Sequence, residues 1–462
     1  MSFAVYIAFA GWAAVSIVLF AVLHPRRALL ASLIGGFLLL PVAGFPVTGL
    51  RAKISIISTV LLPLSVAFAP DRFLRLRPRL YDLPAALWCA WPAVSSLANG
   101  LGVYDAFSAA LENVLAYGVP YLLGRAYFSD LVGLRELGVA IFLGGLAYVP
   151  LCLWEMRFSP QLHRTFYGFH QHEFAMTVRM GGYRPMVFMD HGLMVGLWMV
   201  AATLVGYWLW RSGSLRHVCG VPVGPLVAAL FVTAVLCKST GALVLLAIGL
   251  LARPLLLKLR SAAPVVVLIL VTPAYLATRI ARVLPTEPIV AASEQISGSE
   301  RSESLSYRIR NEELLLTRAL EKGSTGWGRW GRFLLFDPDT HVRLTTPDGL
   351  WIIALGQYGI VGLSALTAML LLPAVLFIRR YPIGTWNMPL VAPAAALALF
   401  LPLYMIDNVL NAMINPVYFI GAGALTGLRW RRLARPLARP RLPIGPRPIP
   451  VRARLAGLHG HS

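Results

Sequence analysis

Two polar stretches hold most of the residues able to do chemistry in a chain that is otherwise apolar. One reads MTVRMGGYRPMVFMDHGLM. It sets Arg179 and Arg184 around Gly181-Gly182 and ends on Asp190-His191 where an apolar run begins. The other runs from Leu305 to Leu363 and carries Arg308 and Arg310, the glycines Gly323, Gly326, Gly328 and Gly331, then Asp337, Asp339, His341, Arg343 and Asp348. At Gly349 it turns apolar and stays so to Ile378. A third, short turn, Cys237-Lys238-Ser239-Thr240-Gly241, offers one more cation. Arginine presents a planar fork that matches phosphate or carboxylate oxygens two at a time, and lysine a point charge. A carboxylate or imidazole within hydrogen-bond reach of a hydroxyl can take its proton.

Each of these residues also has a plainer role open to it. Arg308 is placed to meet Glu312 at i, i+4 on a solvated helix. Asp348 is placed to cap a helix starting at Gly349. His191 fits a hydrogen-bonded interface histidine. His170, Gln171, His172 and Glu173 suggest metal ligation, but no cysteine or further spaced acid completes a set, so no metal is expected. Glu112, inside an apolar segment, has either a function or a partner among the neighbouring Asn and Tyr side chains.

The elements that must position these residues are membrane spans. The chain has 462 residues, 58% of them hydrophobic and 13% charged, with a mean hydropathy of +0.70. A soluble domain carries about 25% charged residues. With about 17–25 apolar residues per span, roughly thirteen spans are expected, near 3–23, 28–48, 54–69, 82–98, 103–124, 136–154, 186–209, 218–236, 240–257, 263–280, 349–378, 388–407 and 412–428. The fifth carries Glu112, Asn113 and Pro120 and is expected to be broken. The N-terminal MSFAVYIAFAGW lacks a basic lead and a small-residue cleavage site, which fits a retained span. Cys89, Cys152, Cys219 and Cys237 form no Cys-x-x-Cys pair and are read as packing residues.

Charge orients the chain. The net charge of +21 is almost all arginine, and the basic residues bunch at span ends, as topology demands, so no nucleic-acid partner is expected. Alternate loops hold Arg26-Arg27; Arg72, Arg75, Arg77 and Arg79; Arg125 and Arg135; Arg211 and Arg216; Arg253, Lys258 and Arg260; and Arg379-Arg380. With the tail Arg429, Arg431, Arg432, Arg435, Arg439 and Arg441, they fall on one side, which puts the C-terminus in the cytoplasm. The tail is read as extended and lying on anionic lipid. Two long loops, 155–184 and 281–347, face the other way and still carry arginine. The positive-inside rule removes such charges unless something uses them, although long loops also escape it. Residues 285–304, rich in serine, are expected to be mobile. The resulting organisation is N-terminal spans over 1–154, a first loop over 155–184, central spans over 185–280, a second loop with an amphipathic helix over 281–347, C-terminal spans over 348–428 and a basic tail over 429–462.

Tyr307-Arg308-Ile309, Gly326-Trp327-Gly328, Asp348-Gly349 and Gly359-Ile360-Val361-Gly362-Leu363 together resemble the O-antigen ligase and polysaccharide polymerase family of bacterial inner-membrane proteins. That family shows a Tyr-Arg-Ile-like start, a Gly-x-Gly turn, a polar pair that is usually His-Asn, and a span opening on Gly-(Ile/Leu)-x-Gly-Leu. Asp348-Gly349 departs from it. Arg179, Gly181-Gly182, Arg184 and Asp190-His191-Gly192 resemble its second signature, where Asn-Pro-Asn-like residues are common. Cys237 to Gly241 resembles its short Ser/Arg turn. The likeness covers roughly residues 130–425.

The resemblance implies an all-α polytopic protein of about 12–13 spans, GT-C-like, in the bacterial inner membrane, transferring glycan at the periplasmic face. The donor would be a glycan on undecaprenyl pyrophosphate, the acceptor a sugar hydroxyl on a glycan or lipid, with membrane lipid and other polysaccharide-assembly proteins as partners and no metal or cofactor. Pyrophosphate leaves well once its charge is met, and Arg179, Arg184, Arg308, Arg310 and Lys238 are the candidates to meet it. The base would be Asp348, then His191, then Asp190. Polymerisation is favoured over ligation. A transporter or flippase of lipid-linked glycan is the competing reading; such proteins place ionisable residues at midplane in paired broken helices, whereas this chain concentrates them in two loops.

Overall fold

The computed structural model describes residues 2–44, 53–283 and 299–428, with side chains of 299–305 left aside. The chain is mostly helical. Its helices are α1 Phe3–Val22, α2 Pro25–Leu39, α3 Lys53–Phe68, α4 Pro70–Leu74, α5 Leu83–Ala98, α6 Gly102–Asn113, α7 Val119–Tyr127, α8 Leu131–Phe158, α9 Leu162–Tyr167, α10 Gly192–Arg211, α11 Val223–Leu236, α12 Thr240–Leu259, α13 Ala263–Ile280, α14 Ser299–Leu320, α15 Leu350–Arg380, α16 Ala392–Leu410 and α17 Pro416–Gly427. Two small hairpins interrupt them: β1 Val178–Arg179 with β2 Gly182–Tyr183, and β3 His217–Val218 with β4 Val221–Pro222.

Among the described residues seven helices are long and apolar enough to cross a membrane: α1, α8, α10, α12, α13, α15 and α16. In hydrocarbon every backbone polar group must be satisfied within the protein, and helices do so locally. α10 and α16 are enclosed on nearly all sides, with Trp198 and Trp208 of α10 fully buried. Lipid tails are as apolar as leucine, so close backbone approach drives helix association. α7 crosses α17 this way: a Cβ on Gly124 would strike the Ile420 carbonyl, and one on Gly423 the Tyr121 carbonyl.

Several expected boundaries move. Of the expected span 28–48 the helix ends at Leu39 and 40–44 are non-helical, with 45–48 outside the described residues, and the one at 186–209 begins at Gly192 because 186–191 belong to the loop. The expected break in the fifth span is a π-helical turn, Val114–Gly118, joining α6 to α7. Residues Ser299 to Ser304, expected to be mobile, form the first turns of α14. The rest of that expectation, and the placement of the tail after Leu428, fall outside the described residues. The four cysteines are free; Cys152 and Cys237 are buried, but Cys219 is exposed in the β3–β4 turn and does not pack.

The basic loops meet one another at one end of the bundle. Arg26 pairs with Asp130 and, at 3.8 Å, with Glu136. Arg125 pairs with Asp82 at 2.8 Å. Arg135 Nη2 donates to the Ser214 carbonyl at 2.8 Å, and Arg380 Nη1 donates to that of Leu428 at 2.6 Å.

α15 is broken at Gly359, whose φ is +64° and ψ −167°. The glycine turn after α14 plugs the break. Trp327 N donates to Gly356 O and Gly328 N to Gln357 O, each at 2.9 Å, while Ile360 N donates to Gly323 O at 2.8 Å. Trp91 Nε1 and Ser95 Oγ take the Tyr358 and Gln357 carbonyls, each at 2.9 Å. The carbonyls freed by the break are thus re-satisfied by the turn and by α5. The Gly-x-Gly turn and the Gly-Ile-Val-Gly-Leu signature are two halves of one joint.

Candidate functional site

The first loop is pinned to α8 by one carboxylate. Glu155 Oε1 accepts from Leu162 N at 3.0 Å, and Oε2 accepts from Met186 N at 2.8 Å and Val187 N at 2.7 Å. Lys53 Nζ donates to Phe188 O at 2.6 Å, and Phe188 N donates to Tyr148 Oη at 3.1 Å. Three buried polar side chains therefore fix the backbone just ahead of Asp190-His191. Unpaired, each would be costly to bury; here the backbone of the loop satisfies them.

Arg184 lies buried beneath this loop, its side chain over Gly192, and its Nη2 donates to the Lys238 carbonyl at 3.0 Å. Lys238, with φ +52°, reaches back so that Nζ donates to Met180 O at 3.2 Å. His191 is the N-cap of α10, its Nδ1 accepting from Leu193 N at 3.0 Å. Its ring meets the edge of His172, centroids 4.8 Å apart. Burial first, then His172 and the charges of Arg184, Arg308 and Arg179, push the His191 imidazole down to about 3. The imidazole is therefore neutral at pH 7, and because Nδ1 accepts from the cap, its proton sits on Nε2. That tautomer donates to an anion and does not accept a proton at Nε2.

The second loop brings its own pair. Arg308 Nε lies 3.4 Å from Asp348 Oδ2, and Nη1 donates to Leu410 O at 3.2 Å and lies 3.5 Å from Asn411 Oδ1. Asn411 Nδ2 in turn donates to Asp407 Oδ1 at 3.0 Å. Burial raises the Asp348 carboxyl above its ordinary range and Arg308 opposes that rise. One turn along α14, Glu312 is buried. Trp351 Nε1 and Tyr275 Oη donate to it at 3.2 Å each, and Arg279 stands 3.8 Å away. Burial raises its carboxyl to about 7.

Both loops thus lie at one end of the molecule, and Arg308 of the second acts electrostatically on His191 at the end of the first. Arg179 is exposed on β1, within electrostatic reach of the same imidazole. Asp190 is half-buried and its charge acts on Lys53. Arg310 is exposed; two residues from Arg308, it projects from a different face of α14.

Three plainer readings change. Arg308 pairs with Asp348, and Glu312 with Arg279, so the i, i+4 pair is not made. The N-cap of α15 is Gly349, without a side-chain cap bond, so Asp348 does not cap that helix. Glu112 pairs with Arg329 of the glycine turn at 2.6 Å, not with neighbouring Asn or Tyr side chains. Asp407, Asn411, Arg279 and the buried role of Glu312 escaped the sequence reading. An acid at the end of an apolar run, as Asp407 is, was the available signal. Among the described residues no three His, Cys, Asp or Glu side chains group to hold a metal ion.

Compared with known protein families and with curated proteins, the chain matches none.

Proposed function

We propose that the chain is a membrane glycosyltransferase of the polymerase or ligase type, acting on a glycan linked to undecaprenyl pyrophosphate. The observation that carries this reading is that Arg184, Arg308 and Arg179 all lie within electrostatic reach of the neutral imidazole of His191, with Asp348 3.4 Å from Arg308. Guanidinium groups and a neutral N–H donor suit a pyrophosphate whose charge grows as its bond to the sugar breaks. Asp348 then takes the proton of the attacking sugar hydroxyl. Arg310, facing elsewhere, drops out of the charge-binding set, and Lys238 serves through its carbonyl as well as its charge. The site faces the periplasm of the bacterial inner membrane, with about 12–13 GT-C-like spans below it and the basic tail in the cytoplasm.

The broken helix α15 is a feature transporters use. Here its freed carbonyls are occupied by the glycine turn and by α5 and do not line an open path, which favours the enzyme. The deciding experiment offers the purified protein, in lipid, a labelled undecaprenyl-pyrophosphate-linked glycan with no nucleotide sugar. Longer or transferred glycan is expected. An unchanged glycan that appears on the far side of the bilayer would replace this reading with transport.

A further inference from the structure

Away from that site, a cavity of about 620 Å³ lies between α2 and α8. Its walls are apolar, with Leu30, Ile34 and Leu38 facing Val139 and Leu143, and its charges, Arg27, Arg135 and Glu136, sit at one end. The two helices run parallel. Arg26 meets Asp130 and Glu136 where both begin, and Tyr148 Oη donates to Leu38 O at 3.1 Å further along. The charged end is therefore the end where the basic loops meet.

The charge there is not balanced. Arg26 engages both Asp130 and Glu136. Arg72 is close enough to feel the same charges. Among the described residues Arg135 has no carboxylate within ion-pair distance, its Nε lying 3.2 Å from Ser214 Oγ and its Nη2 2.8 Å from Ser214 O. Arg27 is exposed, and no carboxylate among the described residues lies within ion-pair distance of it. Arg27 and Arg135 thus stand at the mouth of the apolar groove with no carboxylate partner among the described residues, while Arg26 takes both nearby acids.

We propose that this groove binds one anionic phospholipid, its phosphate between Arg27 and Arg135 and an acyl chain lying along α2 and α8. Charge complementarity selects the headgroup, as basic pockets between spans select anionic lipids. Length selects the chain. From Arg27 to Leu39 α2 rises roughly 18 Å at 1.5 Å per residue, close to the roughly 15 Å of one hydrocarbon leaflet. Small residues make the space: a Cβ on Gly35 meets nothing within 4 Å. The inference does not depend on the proposed enzymatic activity.

The test is native mass spectrometry of the full-length protein in micelles, titrated with dioleoylphosphatidylglycerol or dioleoylphosphatidylethanolamine. The first equivalent of the anionic lipid is expected to bind about tenfold more tightly than the zwitterionic one, and Arg27→Gln to cut that preference about fivefold, the share of one arginine at an anionic surface. Gly35→Leu fills the groove and is expected to abolish the first bound lipid. Should Gly35→Leu not fold, Ala31→Phe on the same wall replaces it. Equal binding of both lipids, or a first site indifferent to the groove-filling variants, overturns the proposal. So does a polyisoprenyl phosphate that displaces phosphatidylglycerol and binds Arg27→Gln as well as the unaltered protein.

Discussion

Arg308 and Asp348 face each other across two elements, the guanidinium Nε of α14 standing 3.4 Å from the carboxylate Oδ2 that precedes α15. Both side chains keep partial access to solvent, so the pair is held loosely, and exposed pairs of this kind are worth about 0–1 kcal/mol. Under the proposed function that looseness matters. An arriving pyrophosphate carries more charge than Asp348 and competes for the same fork, and the carboxylate it displaces becomes free to accept a proton. The pair is then a resting arrangement in which the anion binder and the base hold each other in place.

The first prediction concerns topology. Single cysteines placed in 160–184 and in 325–346 of a cysteine-free variant should both react with an impermeant maleimide from the periplasmic side, and one at Arg75 should not. Arg308 of the second loop lies within electrostatic reach of His191 at the end of the first. Labelling of the loops from opposite faces would dissolve the site, because its charges would no longer share a compartment.

Arg308→Ala is expected to lower glycan transfer about 10²–10³-fold, the usual share of one anion-stabilising donor, at normal protein levels. Arg308→Lys should recover little of it, since an ammonium does not reproduce the fork. Arg184 differs: it is buried and holds the Lys238 carbonyl, so Arg184→Ala should lose thermal stability as well as transfer. An Arg308→Ala protein with near-normal transfer removes pyrophosphate binding as its role.

Gly359 tests the joint between the glycine turn and α15. A Cβ there would strike the carbonyl oxygens of Ser324 and Gly323, at a φ that disfavours any side chain. Gly359→Ala is expected to cost about 1–3 kcal/mol from backbone strain and more from the collision, seen as poor accumulation and a lowered melting temperature. Gly241→Ala, where a Cβ meets nothing within 4 Å, is the control and should behave normally. Equal melting of the two variants would mean that the turn does not depend on this contact.

How much of this was legible in the sequence varies with the range of the interaction. Apolar runs set the helices, because each satisfies its own backbone locally. Glycine clusters marked the turn, but not the break at Gly359, which fell inside a span expected to be continuous, nor that the turn plugs it, since that contact joins Gly323 to Ile360 through tertiary packing. Arg308 and Glu312 have the spacing of a helical pair, yet each found its partner on another element: Asp348 at the mouth of α15, and Arg279 on α13. Local spacing states which partners are reachable; the tertiary fold decides which are taken. Glu155 hid for the same reason, its three donors coming from loop backbone that the sequence does not place.

Glu312 carries a pH signature. Its carboxyl titrates at about 7 in the folded protein against an ordinary 4.5, because burial disfavours the charge. A raised acid binds its proton more tightly when folded, so the stability it contributes is complete below 4.5 and is lost as pH rises through 7. The loss is on the order of 3 kcal/mol for a shift of this size. Melting temperatures of the native protein should fall between pH 5 and pH 8 by a component that Glu312→Gln lacks. Parallel pH profiles for the two proteins would show that Glu312 is ionised throughout.

The last prediction isolates Asp348. Asp348→Asn preserves size, and since Gly349, not Asp348, stands at the N-cap of α15, the helix loses no cap. The half-exposed pair with Arg308 costs little to break. The variant should therefore accumulate and melt like the native protein. It has no carboxylate to take the acceptor proton, so transfer should fall about 10²–10⁴-fold, the range general-base catalysis supplies. Removing Asp348 also frees Arg308 from its partner, so donor binding should hold or tighten. A base and a mere clamp on Arg308 are thereby separated: loss of kcat with unchanged or lower KM marks the base, and a rise in KM alone marks the clamp. Asp348→His, which restores a proton acceptor, should regain part of the rate with a pH optimum moved upward. Native rates from Asp348→Asn would remove the carboxylate from the chemistry. Glu312, whose carboxyl sits near 7 one turn from Arg308, would then be the acid to test, because His191 spends its Nδ1 lone pair on the cap of α10.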